Sequence, residues 1–194
     1  NNSMEEQLIQ EGLFQAKSGN TSDYQEGVDA FLEKRNPVFK GEKKMKKVGI
    51  IGSGAMGSGI AQVFAQAGHS VVLYDTNHAA LERSKANLAK TFEKLVAKEK
   101  YTEEQSAQIQ GAISYNDNLD AFAEIDLMIE AIVENLEVKQ TVFKQVEAIV
   151  SETCILASNT SSLSIASIAS ACEKPERVIG IHFFKIMASG QCQQ

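Results

Sequence analysis

Four clusters in this sequence have the residue types and spacing of working parts. The first is Gly52-Ser53-Gly54-Ala55-Met56-Gly57, a G-x-G-x-x-G string followed 18 residues later by Asp75. Gly52 would allow a tight turn, Gly54 the approach of a pyrophosphate to the backbone, and Gly57 close packing of a helix on a strand. Asp75 would accept hydrogen bonds from ribose hydroxyls and repel a 2′-phosphate, which favours NAD over NADP. The plainer alternative is a glycine turn made for packing, with Asp75 as a helix cap. The second cluster is Glu134 and Asn135 in IEAIVENLEVK, and the third is Ser158, Asn159, Thr160, Ser161 and Ser162 in CILASNTSSLS. Each could line a cleft, and each could equally cap a helix, because Asn and Ser are preferred caps. The fourth is His182, whose ordinary pKa suits proton transfer near neutral pH.

Such residues need a frame that brings them to one edge. KVGIIG, SVVLYD, IDLMIEAIV, CILAS and RVIGIHFF read as strands, and AMGSGIAQVFAQAG reads as a helix closed by Gly68. Strands separated by helices of this length imply βαβ units and a parallel sheet. The expected fold is therefore α/β, a doubly wound parallel sheet of the Rossmann dinucleotide-binding type. Between the second and third strands, residues 78–110 read as helical, and Thr102 with Gln105 fits a capping box that starts a second helix. This pair is expected to project as a helical-arm insertion. In open parallel sheets ligands bind beyond the carboxyl ends of the strands, where all four clusters fall.

The whole chain sets further bounds. Its 194 residues allow one ordinary domain and an appendage, and the 43% hydrophobic content supports a sizeable core. The net charge of −6 argues against nucleic-acid or anionic-membrane binding, and no apolar run approaches a bilayer span. Cys154, Cys172 and Cys192 are three widely spaced thiols without a Cys/His cluster. They support neither a disulfide framework nor a metal site, and they fit a reducing, cytoplasmic setting. Residues 1–42 are polar, with one amphipathic stretch around Val28, Phe31 and Leu32 ended by Pro37. The expected division is a leading segment with linker at 1–42, a dinucleotide-binding domain at 43–184, and an atypical tail at 185–194.

VGIIGSGAMGSGIAQVFAQAGHSVVLYD, IEAIVENLEVK, LASNTSSLSI and GIHFF together resemble the NAD-binding domain of L-3-hydroxyacyl-CoA dehydrogenases. The segment DYQEGVDAFLEKRNPVFKGE is similar to the C-terminal end of enoyl-CoA hydratases, so the chain looks like part of a hydratase–dehydrogenase fusion of fatty-acid β-oxidation. The resemblance implies that Asp75, Glu134, Lys139 and Ser161 contact NAD together with the glycine loop. It also implies that Ser161 touches the substrate and that Thr91 and Lys98 meet the coenzyme A portion of an acyl-CoA. For Lys98 a solvated helix face is the alternative. His182 would be the base that takes the 3-hydroxyl proton while Ser161 assists, and the parent enzyme would be an oligomer. The family continues into an asparagine–proline loop and a glutamate that orients the histidine, but here Lys185 follows Phe184 and no acidic residue follows Glu176. An NAD-binding module without turnover is therefore a second expectation. A third is another NAD-dependent hydroxy-acid oxidoreductase, against which the SNTSS and HFF motifs weigh.

Overall fold

The computed structural model describes residues 46–183. The expectations for 1–42 and 185–194 lie outside the described residues. Strand β1 (Lys47–Ile51) is buried along nearly its whole length and runs through the glycine loop into α1 (Ala55–Gln66). The chain continues through β2 (Ser70–Tyr74), α2 (His78–Ala97), α3 (Glu103–Gly111) and β3 (Ile113–Asn116). A short 3-10 turn (Leu119–Phe122), β4 (Leu127–Glu130), α4 (Leu136–Glu147), β5 (Ile155–Ser158), α5 (Ile165–Ala169) and β6 (Val178–Gly180) complete it.

The six strands lie in the order β3-β2-β1-β4-β5-β6, and every neighbouring pair is parallel. The chain winds outward from β1 to β3 and then returns for β4 to β6, so the switch point falls between β1 and β4. This is the expected doubly wound Rossmann sheet. Alternation along each strand gives two cores, one on each face. Val48, Ile50, Leu73, Ile129 and Ala157 pack with Ile60, Leu88 and Phe92, while Ile51, Val72, Met128 and Leu156 pack with Phe122, Phe143, Val146 and Ile168.

Helix ends follow local chemistry. Gly68, at φ +86°, accepts the left-handed conformation that ends α1. Asn77 caps α2, Thr102 and Gln105 form the capping box of α3, Asn135 caps α4, and Ser164 caps α5.

Two expectations change. Ile113–Asn116 is a sixth, edge strand, paired through Val71↔Ile113 and Tyr74↔Asn116. Only Ile113 of its four residues is buried, so it lacks the apolar run that marks the other strands. The expected helical insertion is present as the α2–α3 hairpin, but one face of it packs on the core instead of projecting from the sheet. Leu81, Leu88 and Phe92 are core residues, and Gln66 Nε2 of α1 donates to Tyr101 Oη at 3.1 Å near the hairpin's turn.

Candidate functional site

The glycine loop forms the centre of the site. Gly52 has φ +102°, and a Cβ there would lie 2.6 Å from the Ala131 carbonyl oxygen. At Gly57 a Cβ would lie 1.7 Å from the Gly52 carbonyl oxygen, so only glycine lets α1 start this close to β1. Gly54 is the N-cap of α1, makes no side-chain cap bond, and has nothing within 4 Å of its Cβ position. The first turn therefore keeps its N–H groups and its partial positive charge open to an anion. Ala55 and Met56 form that first turn.

Asp75 does more than wait for a ribose. Its Oδ2 accepts hydrogen bonds from Ser53 N and Ser53 Oγ, both at 2.8 Å, and its Oδ1 accepts from Asn77 N at 2.9 Å. Partial burial pushes its pKa up, but these donors and the nearby Arg83 outweigh that and hold the carboxyl below its usual range. The capping alternative for Asp75 falls to Asn77, whose side chain caps α2. Ser53 is buried and serves as the link between loop and acid.

Two cavities adjoin at Ala131 and Ile132. One, of about 450 Å³, is lined by Gly54, Asp75, Leu119 and Val138. Val133 and Val138 are among the few exposed large apolar side chains of the described residues, and both face this cavity. Apolar walls beside an acid suit the adenosine end of a dinucleotide. The other cavity, of about 300 Å³, is lined by Met56, Glu134, Asn159, Ser161 and Ser162 and suits the opposite end.

Around this second cavity the chain gathers its polar groups. Glu134 Oε1 accepts from Thr160 Oγ1, from Ser161 N at 3.1 Å, and from Ser162 N and Oγ at 3.1 and 3.0 Å. Lys139 Nζ lies 3.2 Å from Glu134 Oε2. Burial raises the Glu134 pKa, but the Thr160, Ser162 and Lys139 donors overcome it and bring the carboxyl down to about 2. Asn135 caps α4, its Oδ1 accepting from Val138 N at 3.1 Å.

Lys139 is 1% exposed, and its ammonium is enclosed by Glu130 and Glu134. This placement sets it beneath the second cavity, behind Glu134. Glu130 is the residue that sequence reasoning missed. Its carboxylate is fully buried, 2.6 Å from Lys139 Nζ, and also accepts Ser158 Oγ at 2.6 Å and Ile132 N at 2.7 Å. A signal for it existed: Lys139, Phe143 and Val146 share one helical stripe, and a lysine on a buried stripe requires a buried acid.

His182 is exposed and follows β6, which ends at Gly180, so the expected strand through HFF is shorter than read. The flanking backbone is fixed to the same edge. Ile181 N donates to Ser158 O at 3.0 Å, and Phe183 N donates to Asn159 Oδ1 at 2.9 Å. At the base of β6, Arg177 Nη2 pairs with Glu147 Oε1 at 3.1 Å, tying the strand to α4. Ser161, Glu134, Lys139 and the His182 segment thus come together. Thr91 and Lys98 lie elsewhere, both exposed, two turns apart on α2 and at its C-cap. Thr91 Oγ1 donates to Asn87 O at 2.9 Å.

Fold and loop together define a dinucleotide-binding domain of the Rossmann type. The chain belongs to the 3-hydroxyacyl-CoA dehydrogenase family, whose NAD-binding domain matches residues 47–187. NAD is the cofactor of that domain, and the open helix N-terminus, the paired cavities and Asp75 fit it. A 3-hydroxybutyryl-CoA dehydrogenase of Clostridioides difficile is 45% identical over 138 residues, covering 71% of this chain and 49% of the relative. A fatty acid oxidation complex subunit alpha of Psychrobacter arcticus is 38% identical over 141 residues, covering 73% of this chain and 20% of its own. The crystal structure of an (S)-3-hydroxybutyryl-CoA dehydrogenase from Ralstonia eutropha matches with a TM-score of 0.70 at 40% identity, over 73% of this chain and 50% of that one. The chain spans about half the length of the curated 3-hydroxybutyryl-CoA dehydrogenases it matches. Among the described residues no helix is long and apolar enough to cross a membrane.

Proposed function

We propose that this chain is the NAD-binding portion of an enzyme that oxidises L-3-hydroxyacyl-CoA to 3-ketoacyl-CoA in fatty-acid β-oxidation. The observation that carries the reading is the tether from Asn159 to Phe183, which holds His182 at the edge where Ser161 and Glu134 line the second cavity. NAD, when bound, supplies the hydride acceptor. Within the chain, the glycine loop and the N-terminus of α1 hold the pyrophosphate, and Asp75 holds the adenosine ribose. Glu134 and Ser161 orient the nicotinamide half, with Lys139 acting behind Glu134. His182 accepts the proton from the 3-hydroxyl, and Ser161 orients that hydroxyl. Thr91 and Lys98 meet the coenzyme A portion, where a cation suits anionic phosphates.

The leading residues 1–42 fit a hydratase remnant, domain 43–184 the cofactor domain, and the parent protein an oligomer of the reducing cytoplasm. The Cys154 and Cys172 thiols are both free, which fits a reducing setting. A second reading is cofactor binding without turnover, since Lys185 stands where the family has an asparagine after the HFF motif.

The test compares NADH formation from 3-hydroxybutyryl-CoA by the 194-residue chain and by the chain extended with a family C-terminal domain. The extended protein is expected to turn over and to lose about 10²–10⁴-fold in rate with His182→Ala. The 194-residue chain is expected to bind NAD. An active extended protein indifferent to His182→Ala would overturn the assigned base.

A further inference from the structure

Glu130, at the end of β4, has no place in the function so far described. Burying it with Lys139 removes two charges from water, and apolar replacements for such pairs are often neutral or stabilising. Stability alone therefore gives no reason for the pair. Its geometry does, because Lys139 stands between two competing carboxylates. The ammonium lies 2.6 Å from Glu130 Oε1 but 3.2 Å from Glu134 Oε2. Glu130 is itself fixed by Ser158 Oγ and Ile132 N, so its carboxylate cannot drift toward the lysine's other partner. Glu134 Oε1 is saturated by the four donors of Thr160, Ser161 and Ser162. Its Oε2 is the oxygen with acceptor capacity to spare, and Glu134 lines the second cavity.

We propose that Glu130 is a positioning residue that draws the Lys139 ammonium toward itself and so leaves Glu134 Oε2 able to accept a hydrogen bond from the nicotinamide half of the cofactor. This rests on the cofactor assignment above. Without the Glu130 charge, Lys139 closes on Glu134 and takes that acceptor capacity. The adenosine end, held by Asp75 and the first cavity, is untouched.

The experiment titrates the full chain with NAD and with AMP, which occupies only the adenosine end, and compares Glu130→Gln with the parent. NAD affinity is expected to fall about tenfold, the scale of one charge-assisted hydrogen bond, while AMP affinity stays unchanged. In Glu130→Asp the negative charge beside Lys139 is kept, and NAD affinity is expected to stay within about threefold of the parent with AMP affinity unchanged. This conservative variant also decides the matter if Glu130→Gln fails to fold. Unchanged NAD affinity in Glu130→Gln, equal losses for NAD and AMP, or a Glu130→Asp chain more than about threefold weaker than the parent would each overturn the proposal. A parent chain that binds AMP but not NAD would instead defeat the cofactor assignment, and the proposal with it.

Discussion

The two cavities proposed to hold the ends of the cofactor are built by different means. At the proposed adenosine end, a turn of backbone does the work: Gly52, Gly54 and Gly57 shape the loop, α1 offers its N–H groups, and one acid closes the arrangement. At the proposed nicotinamide end, side chains from β4, the loop after it, α4 and β5 interlock through Glu130, Glu134, Lys139 and Ser158. At the first end Gly52 and Gly57 leave no room for an added Cβ, whereas the second end is held by charged and hydrogen-bonded side chains. That difference sets which substitutions hurt, and how much.

Gly57→Ala gives the sharpest test of the backbone end. The added Cβ would lie 1.7 Å from the Gly52 carbonyl, a backbone atom that cannot move aside without opening the loop. NAD binding is expected to vanish, and stability to fall by about 3 kcal/mol or more. Gly59→Ala, two residues on in the same helix with nothing within 4 Å, is expected to stabilise by up to about 1 kcal/mol. Urea midpoints and NAD titration of both variants check this. Equal effects would show that helix propensity rather than the loop contact governs.

The same contrast explains what the sequence revealed. The glycine loop was readable because its members lie within six residues and each has a local steric reason. β1, β2, β4 and β5 were readable as apolar runs, and the Thr102–Gln105 box as a helix start. β3 was not, since an edge strand with one buried residue carries no run. Glu130 was absorbed into the strand IDLMIEAIV, where an acid reads as solvent-facing. In a sheet covered on both faces it is instead buried, and its partner lies nine residues away on another element. The Asn159–Phe183 tether spans 24 residues and depends on the register of β5 and β6, which periodicity does not give.

Asp75 joins the two ends in kind, being a side chain that holds the backbone loop. Asp75→Ala removes the proposed ribose acceptor and the clamp on Ser53 together, and NAD affinity is expected to fall by about 1.5–3 kcal/mol. NADP, which gains nothing from the acid, is expected to lose less, so the preference narrows. Asp75→Asn keeps an acceptor for Ser53 without the charge, and should lose selectivity while retaining more of the loop. Paired titrations with NAD and NADP decide, and equal affinities in the unmodified chain would end the selectivity argument.

The smallest effect expected is the most specific to the charged end. Burial raises the Glu134 pKa, but the Thr160, Ser162 and Lys139 donors carry it down to about 2 from an ordinary 4.5. A depressed carboxyl contributes stability that is fully present above its unfolded value and is lost as pH falls through its folded one. Glu134 should therefore hold the loop at 160–162 fully above pH 4.5 and release it on the way down to about 2. Asp75 and Glu147 are also depressed, so acid unfolding of the parent alone does not isolate Glu134. The difference between the parent and Glu134→Gln does, because glutamine keeps the shape but offers Lys139 no charge. Its side chain is 39% exposed, which limits the cost at neutral pH to about 1 kcal/mol or less. Urea midpoints for the two proteins should differ at pH 7, converge below pH 4.5, and coincide near the lower limit. A difference that stays constant across that range would mean that the loop is held by shape, and that the nicotinamide end resembles the adenosine end after all.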